Sequence, residues 1–72
     1  MKPQEFEINE IYLYSINDVL GLEQCIEQND KLYLKTVKNI ENYPFDIGEI
    51  ASVNSMHNYC RLLTPLEKVK YI

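Results

Sequence analysis

The single histidine of the chain, His57, stands three residues before Cys60, one of two cysteines. A thiolate activated by a neighbouring imidazole is a nucleophile, so this pair is the first place to look for covalent chemistry. The spacing argues against it. Residues three apart on a strand point to opposite faces, and no third group is placed to orient the imidazole. A solvated turn histidine beside a buried cysteine accounts for both residues. A metal centre would have to gather Cys25, Cys60, His57 and a carboxylate from distant segments, without the C-x-x-C spacing of zinc sites. Both glycines are isolated, which leaves no phosphate-cradling loop and no dinucleotide fingerprint. None of the eleven acids forms a recognisable acid–base pair. The expectation is a non-enzymatic protein with no metal and no cofactor.

Charge is the more specific signal. Residues 3 to 30 carry Glu5, Glu7, Glu10, Asp18, Glu23, Glu27 and Asp30 and no lysine or arginine. Residues 31 to 72 carry Lys31, Lys35, Lys38, Arg61, Lys68 and Lys70 against Glu41, Asp46, Glu49 and Glu67, and with Lys2 the net charge is −4. Such acids either decorate ordinary strands, keeping the chain soluble and its edges unpaired, or form a negative surface that steers the protein to a basic partner. Tyr12 and Tyr14 share a strand face with Glu10 and have two readings, as core packing or as contact residues, for which a phenol ring is suited because it buries area at low entropy cost. The candidate partner-binding set is therefore Glu5, Glu7, Glu10, Tyr12, Tyr14, Asp18, Glu23, Glu27 and Asp30. Direct nucleic-acid binding fits poorly with a pI of about 4.8. The lysines of 31–38 are expected to pair across the sheet with Glu23, Gln24 or Glu27.

The elements that must position these residues follow from a repeat. Phe6-Glu7-Ile8-Asn9-Glu10-Ile11 recurs as Phe45-Asp46-Ile47-Gly48-Glu49-Ile50. Each copy reads as a tight turn, with Asn9 or Gly48 at the left-handed position, opening a strand. Ile11 and Leu13 then alternate with Tyr12 and Tyr14, and Ile50 and Ser52 with Ala51 and Val53. Lys31 to Lys38 is a further strand that ends at the turn signals of Asn39 to Pro44. Ser55-Met56-His57-Asn58 reads as a hairpin turn into Tyr59 to Leu63, which Thr64-Pro65 closes ahead of a short final segment, Leu66 to Ile72. The stretch 15–30 has two readings. Ile16, Val19, Leu20, Leu22, Cys25 and Ile26 fit a helical stripe, giving α+β with a short helix at 16–28. The favoured reading is a hairpin turning at Asn29-Asp30, with Ile26 opposite Tyr33, Gln24 opposite Lys35 and Leu22 opposite Val37.

Seventy-two residues allow one domain, 1–72, with little room for a deep cleft. So small a core supplies on the order of 3–5 kcal/mol unless something supplements it, and self-association is one such supplement. Two cysteines suit a reduced, cytoplasmic protein better than a secreted disulfide scaffold. No stretch is apolar enough to span a membrane, and Met1 to Glu5 lacks the apolar core of a signal peptide. Five or six short strands in this length point to a mainly β fold, a small partly open barrel. The phrase Phe-x-Ile-Gly-Glu-Ile resembles the opening of SH3-like barrels over about six residues per copy, which implies a fold class and no function.

In size, acidity and composition the chain resembles the small host-takeover proteins of bacteriophages, which inhibit host enzymes or DNA-binding proteins. That resemblance implies a non-enzymatic inhibitor in the host cytoplasm, binding a basic, nucleic-acid-handling protein and standing in for DNA. The alternatives are an SH3-like accessory module that binds nucleic acid or assembles in a larger complex, and an oligomer that sequesters a small ligand.

Overall fold

A computed structural model describes residues 6–56 and 58–72. The strands are β1 (Ile11–Ile16), β2 (Val19–Gln28), β3 (Lys31–Glu41), β4 (Ile50–Ser52) and β5 (Cys60–Leu62). A one-turn helix, α1 (Val53–Met56), precedes β5, and α2 (Pro65–Tyr71) closes the chain. All pairings are antiparallel in one sheet of order β4-β3-β2-β1-β5. The sheet is not closed, and the fold is mainly β, a small open barrel. Among the described residues no helix is long and apolar enough to cross a membrane.

The stretch from 15 to 30 is strand, and the helical alternative does not form. Asn17, Asn29 and Asp30 have positive φ (53°, 52° and 63°), which places tight hairpin turns before and after β2. Two successive left-handed residues make Asn29-Asp30 a type I′ turn, whose twist matches that of the flanking strands. The helical look of this stretch arises because β2 lies at the centre of the sheet and is buried on both faces. Gly21, Glu23 and Cys25 pack to one side and Leu22 to the other. Ile26 faces Tyr33 and Gln24 faces Lys35, as the hairpin reading expects, but Leu22 faces Lys38 rather than Val37. The register shifts between Leu22 and Glu23 and again between Leu20 and Gly21. These irregularities insert Val37 and Ile40 as extra residues of β3, bending it. Both side chains pack against the Leu13–Leu22–Leu63 cluster.

The repeat is a structural unit. Glu10 N–H bonds the carbonyl of Glu7 at 3.1 Å, and Glu49 N–H bonds that of Asp46 at 3.0 Å. The third turn residue is left-handed in each copy, Asn9 at φ 72° and Gly48 at φ 92°. Asn9 N–H then reaches the carbonyl of Cys25 on β2, whose own N–H returns to Glu10. Gly48 N–H reaches Thr36 on β3, whose N–H returns to Glu49. The two copies thus start β1 and β4 on opposite edges of the β2–β3 hairpin, in an approximate two-fold arrangement about the Gln24–Lys35 pair.

Two apolar layers result. Tyr12, Cys25, Leu34 and Cys60 fill the barrel, with Phe6 and Phe45 of the two repeat copies packed against them. On the other face Leu13, Leu22 and Leu63 pack with Tyr71 of α2. The final segment is helical, and α1 takes in Ser55 and Met56 of the expected 55–58 turn, with Asn58 in a turn after it. Thr64 and Glu67 form a capping box at the start of α2, behind Pro65. Arg61 donates to both carboxylate oxygens of Glu67 at 2.7 Å, and Lys38 Nζ bonds the carbonyl of Tyr71 at 2.7 Å, which ties α2 to the sheet.

The left-handed turn positions make a direct test. Gly48→Ala meets no atom, so its expected loss of about 1 kcal/mol or more is purely conformational. Asn9→Gly, which writes the second copy's residue into the first, should be tolerated. Urea midpoints of the two variants check both.

Candidate functional site

The structure divides the nine residues singled out from the sequence. Glu5 lies outside the described residues. Glu7 is exposed and Glu10 half-buried on the turn that opens β1. The Asn9–Cys25 pairing sets that turn beside the end of β2 carrying Glu27, and Asp30 follows in the exposed hairpin turn. Asp18 is exposed at the other end of β2, about 25 Å away at roughly 3.3 Å per residue. Tyr14 is half-buried in a group of aromatic rings.

Two residues leave the surface set altogether. Tyr12 is 1% exposed in the barrel core. Its ring meets Phe6 edge-on at 4.6 Å, and its hydroxyl accepts the N–H of Glu7 at 2.8 Å. Glu23 is 1% exposed, on the interior face of β2, and pairs with no lysine across the sheet. The periodicity that puts a polar residue outside fails here because both faces of β2 are covered. Of the lysines of β3, Lys35 opposes Gln24 as expected, whereas Lys31 opposes Gln28 and Lys38 opposes Leu22.

Glu23 is the chemically distinctive residue. Its Oε2 accepts the hydroxyl of Thr36 at 2.6 Å and that of Tyr43. Its Oε1 is buried and has no hydrogen-bond partner among the described residues. Burial raises the pKa of the carboxyl; the two hydroxyl bonds pull it back in part, and the charge of Glu49 raises it further. Burial and the bond to Glu23 likewise hold the proton on Tyr43 well above the usual phenol range. Room for the Tyr43 ring comes from Gly21, two residues before Glu23 on the same face. A Cβ there would lie 2.5 Å from Cδ1 of that ring. Around the pair stand Tyr14, Phe45 and Tyr59, with Tyr14 at 5.2 Å from Tyr43, 6.3 Å from Phe45 and 5.6 Å from Tyr59.

The thiol chemistry considered for Cys60 finds no activation. Its partner His57 lies outside the described residues. Cys60 itself is buried, and burial together with the charge of Glu23 pushes its thiol up to about 12, the opposite of an activated nucleophile. Cys25 and Cys60 are free and occupy the same core cluster. Among the described residues no three His, Cys, Asp or Glu side chains converge as a metal site would require. In comparisons with protein-family models, curated proteins and solved structures nothing matches this chain, so its functional reading rests on this geometry.

Two predictions follow from the buried carboxyl. A raised native pKa means that the native state holds the Glu23 proton more tightly than the unfolded chain does. Its contribution is full below the ordinary carboxylate range and is lost as pH rises through the native value. Glu67, held down at about 2 by Arg61, has the opposite sign and acts only as pH falls below the ordinary range. Urea midpoints of the native protein should therefore decline from about pH 5 upward, and Glu23→Gln should flatten that decline. Gly21→Ala should destabilise by about 1–3 kcal/mol. In a Tyr43→Ala background it should cost much less, a coupling that a double-mutant cycle measures directly.

Proposed function

We propose that this chain is a small non-enzymatic binding protein whose contact surface is the acidic turn opening β1. The carrying observation is Ile8, 50% exposed at the tip of that turn between Glu7 and Glu10. Glu27 and Asp30 extend the acidic surface along β2 and its hairpin. No described lysine or arginine lies within ion-pair distance of any of these four acids; the ion pair among the described residues is Arg61–Glu67. An apolar knob rimmed by unpaired carboxylates suits an interface in which the centre is dehydrated and the rim steers a basic partner. The second repeat copy presents the same feature, with Ile47 exposed between Asp46 and Glu49.

The target on this reading is a basic protein that handles nucleic acid, occluded by carboxylates standing where phosphates would. Small size and a net charge of −4 are in keeping with a phage-type inhibitor of a host protein. Two buried free thiols accord with a reducing, cytoplasmic setting. Direct nucleic-acid binding is less well supported, because Lys38 is already engaged by α2 and leaves Lys31 and Lys35 as a sparse basic edge.

Capture from a host lysate with tagged protein tests the proposal, with and without nuclease, at about 0.1 and 0.5 M salt, a span that shortens the screening length well below ~10 Å. The expected result is one basic, nuclease-resistant protein that is lost at high salt. It should also be lost from a Glu7→Lys/Glu27→Lys variant whose urea midpoint shows that it is folded. Undiminished capture by that variant would refute the acidic surface.

A further inference from the structure

The aromatic group above Glu23 is drawn from three separate parts of the chain. Tyr14 comes from β1, Tyr43 and Phe45 from the connection between β3 and β4, and Tyr59 from the residue before β5. Tyr43 and Phe45 meet edge-on at 5.3 Å, and Tyr14 lies within 6.3 Å of the other three rings. Tyr14, Tyr43 and Phe45 are half-buried, and Tyr59 is 40% exposed, so the group opens on solvent through Tyr59. No described lysine or arginine sits on these rings; the cation–π contact among the described residues is Lys70 over Tyr71, on α2. Beneath them lies a carboxyl group with one oxygen, Oε1 of Glu23, that nothing described bonds.

We propose that this group is a binding site for an alkylammonium ion carrying at least one N–H, either a free amine or a lysine side chain, methylated or not. Ring faces attract a cation through their quadrupole, and most strongly where water is excluded. A buried carboxylate needs a cation to be stable as an anion. The unbonded Oε1 calls for a donor, which singles out an ammonium with an N–H from a quaternary one. Tyr59 is the ring least enclosed, and its ring contact is with Tyr14 rather than with the Gly21–Tyr43 pair, so on this proposal the ligand enters on its side.

Charge balance gives the site a signature. The groups facing Glu23 are Tyr12 and Tyr14 from β1, Thr36 from β3, Tyr43 from the connection, Glu49 ahead of β4 and Cys60 from β5. None is cationic, so the empty site favours the protonated carboxyl. An ammonium ion entering the site forms an ion pair with the carboxylate, and the carboxyl proton leaves to solvent. Affinity should therefore rise with pH, with up to one proton released per ligand bound.

The test is an amide and tyrosine-ring chemical-shift titration of the full chain with n-butylammonium, tetramethylammonium and n-butanol. Calorimetry in buffers of different ionisation enthalpy then counts protons. Saturable shifts at Gly21, Tyr14, Tyr43 and Tyr59 are expected with n-butylammonium, at least ~10-fold weaker with tetramethylammonium and absent with the alcohol, a tenfold change being the scale of one lost hydrogen bond to a charged group. Glu23→Gln should abolish the preference for the N–H cation, and Tyr59→Ala, an exposed position that spares the fold, should weaken binding by a similar factor. A single-lysine peptide that binds more tightly than n-butylammonium assigns the site to a protein partner; equal affinity assigns it to a small amine. No saturation with any ammonium, equal shifts with the alcohol, or unchanged affinity in both variants would overturn the proposal. None of these outcomes bears on the Glu7–Ile8–Glu10 surface, which lies at the other end of β1.

Discussion

A carboxyl group with no cation beside it among the described residues sits between the two longest strands, and much of the barrel is arranged to hold it. Glu23 is fixed by hydroxyls from β3 and from the connection that follows it. The connection can come that close because Gly21 offers no side chain to the Tyr43 ring. Tyr43 brings Phe45 with it, and Phe45 is the first residue of the second repeat copy, whose turn starts β4. One buried polar group thus links β2, β3 and the start of β4. In a low-dielectric interior the two hydroxyl bonds to Oε2 weigh more than they would at the surface, and so does the cost of leaving Oε1 unbonded.

The repeat supplies the complementary constraint. A left-handed residue lets the chain reverse and immediately join a strand already in place, and this happens once on each edge of the central hairpin. The Phe that opens each copy packs into the same core cluster. Local backbone chemistry and long-range packing therefore point to the same arrangement at both edges, the consistency between levels that makes a short sequence foldable. The same device leaves an isoleucine exposed at each turn tip. A contact surface can be built there without disturbing the core, because the turn is held by its backbone.

What could be read from sequence alone follows the reach of each signal. Asn29-Asp30 and the two repeat turns were legible because they depend on residues that tolerate positive φ. The hairpin register was legible up to Glu23 and lost beyond it, since a bulge leaves no mark in a period-two pattern. Glu23 reads as a surface residue, and Tyr12 as a candidate for one, because a polar residue on a strand ordinarily faces water, an inference that needs one face of the strand to be exposed. The signal for burial was Gly21 on the same face two residues earlier, with Thr36, a small hydroxyl donor, across the hairpin. The C-terminal helix carried a sequence signature in Thr64-Pro65-Leu66-Glu67, the capping box with proline at the first helical position. Its short length concealed it.

The aromatic group could not have been read from spacing, because its members are 14, 43, 45 and 59 and only the folded chain brings them together. Its chemistry is the reverse of an ordinary core. An apolar side chain at position 23 would fill the interior without a polar atom left over, and glutamine would offer the same two hydroxyls an acceptor with no charge to bury. Neither would hold an ammonium ion. A carboxyl kept in this place, beneath ring faces and with one oxygen unbonded, is a stable arrangement only in its protonated form or with a cation present. Burial shifts the balance toward the first in isolation, and the proposed ammonium ion would supply the second.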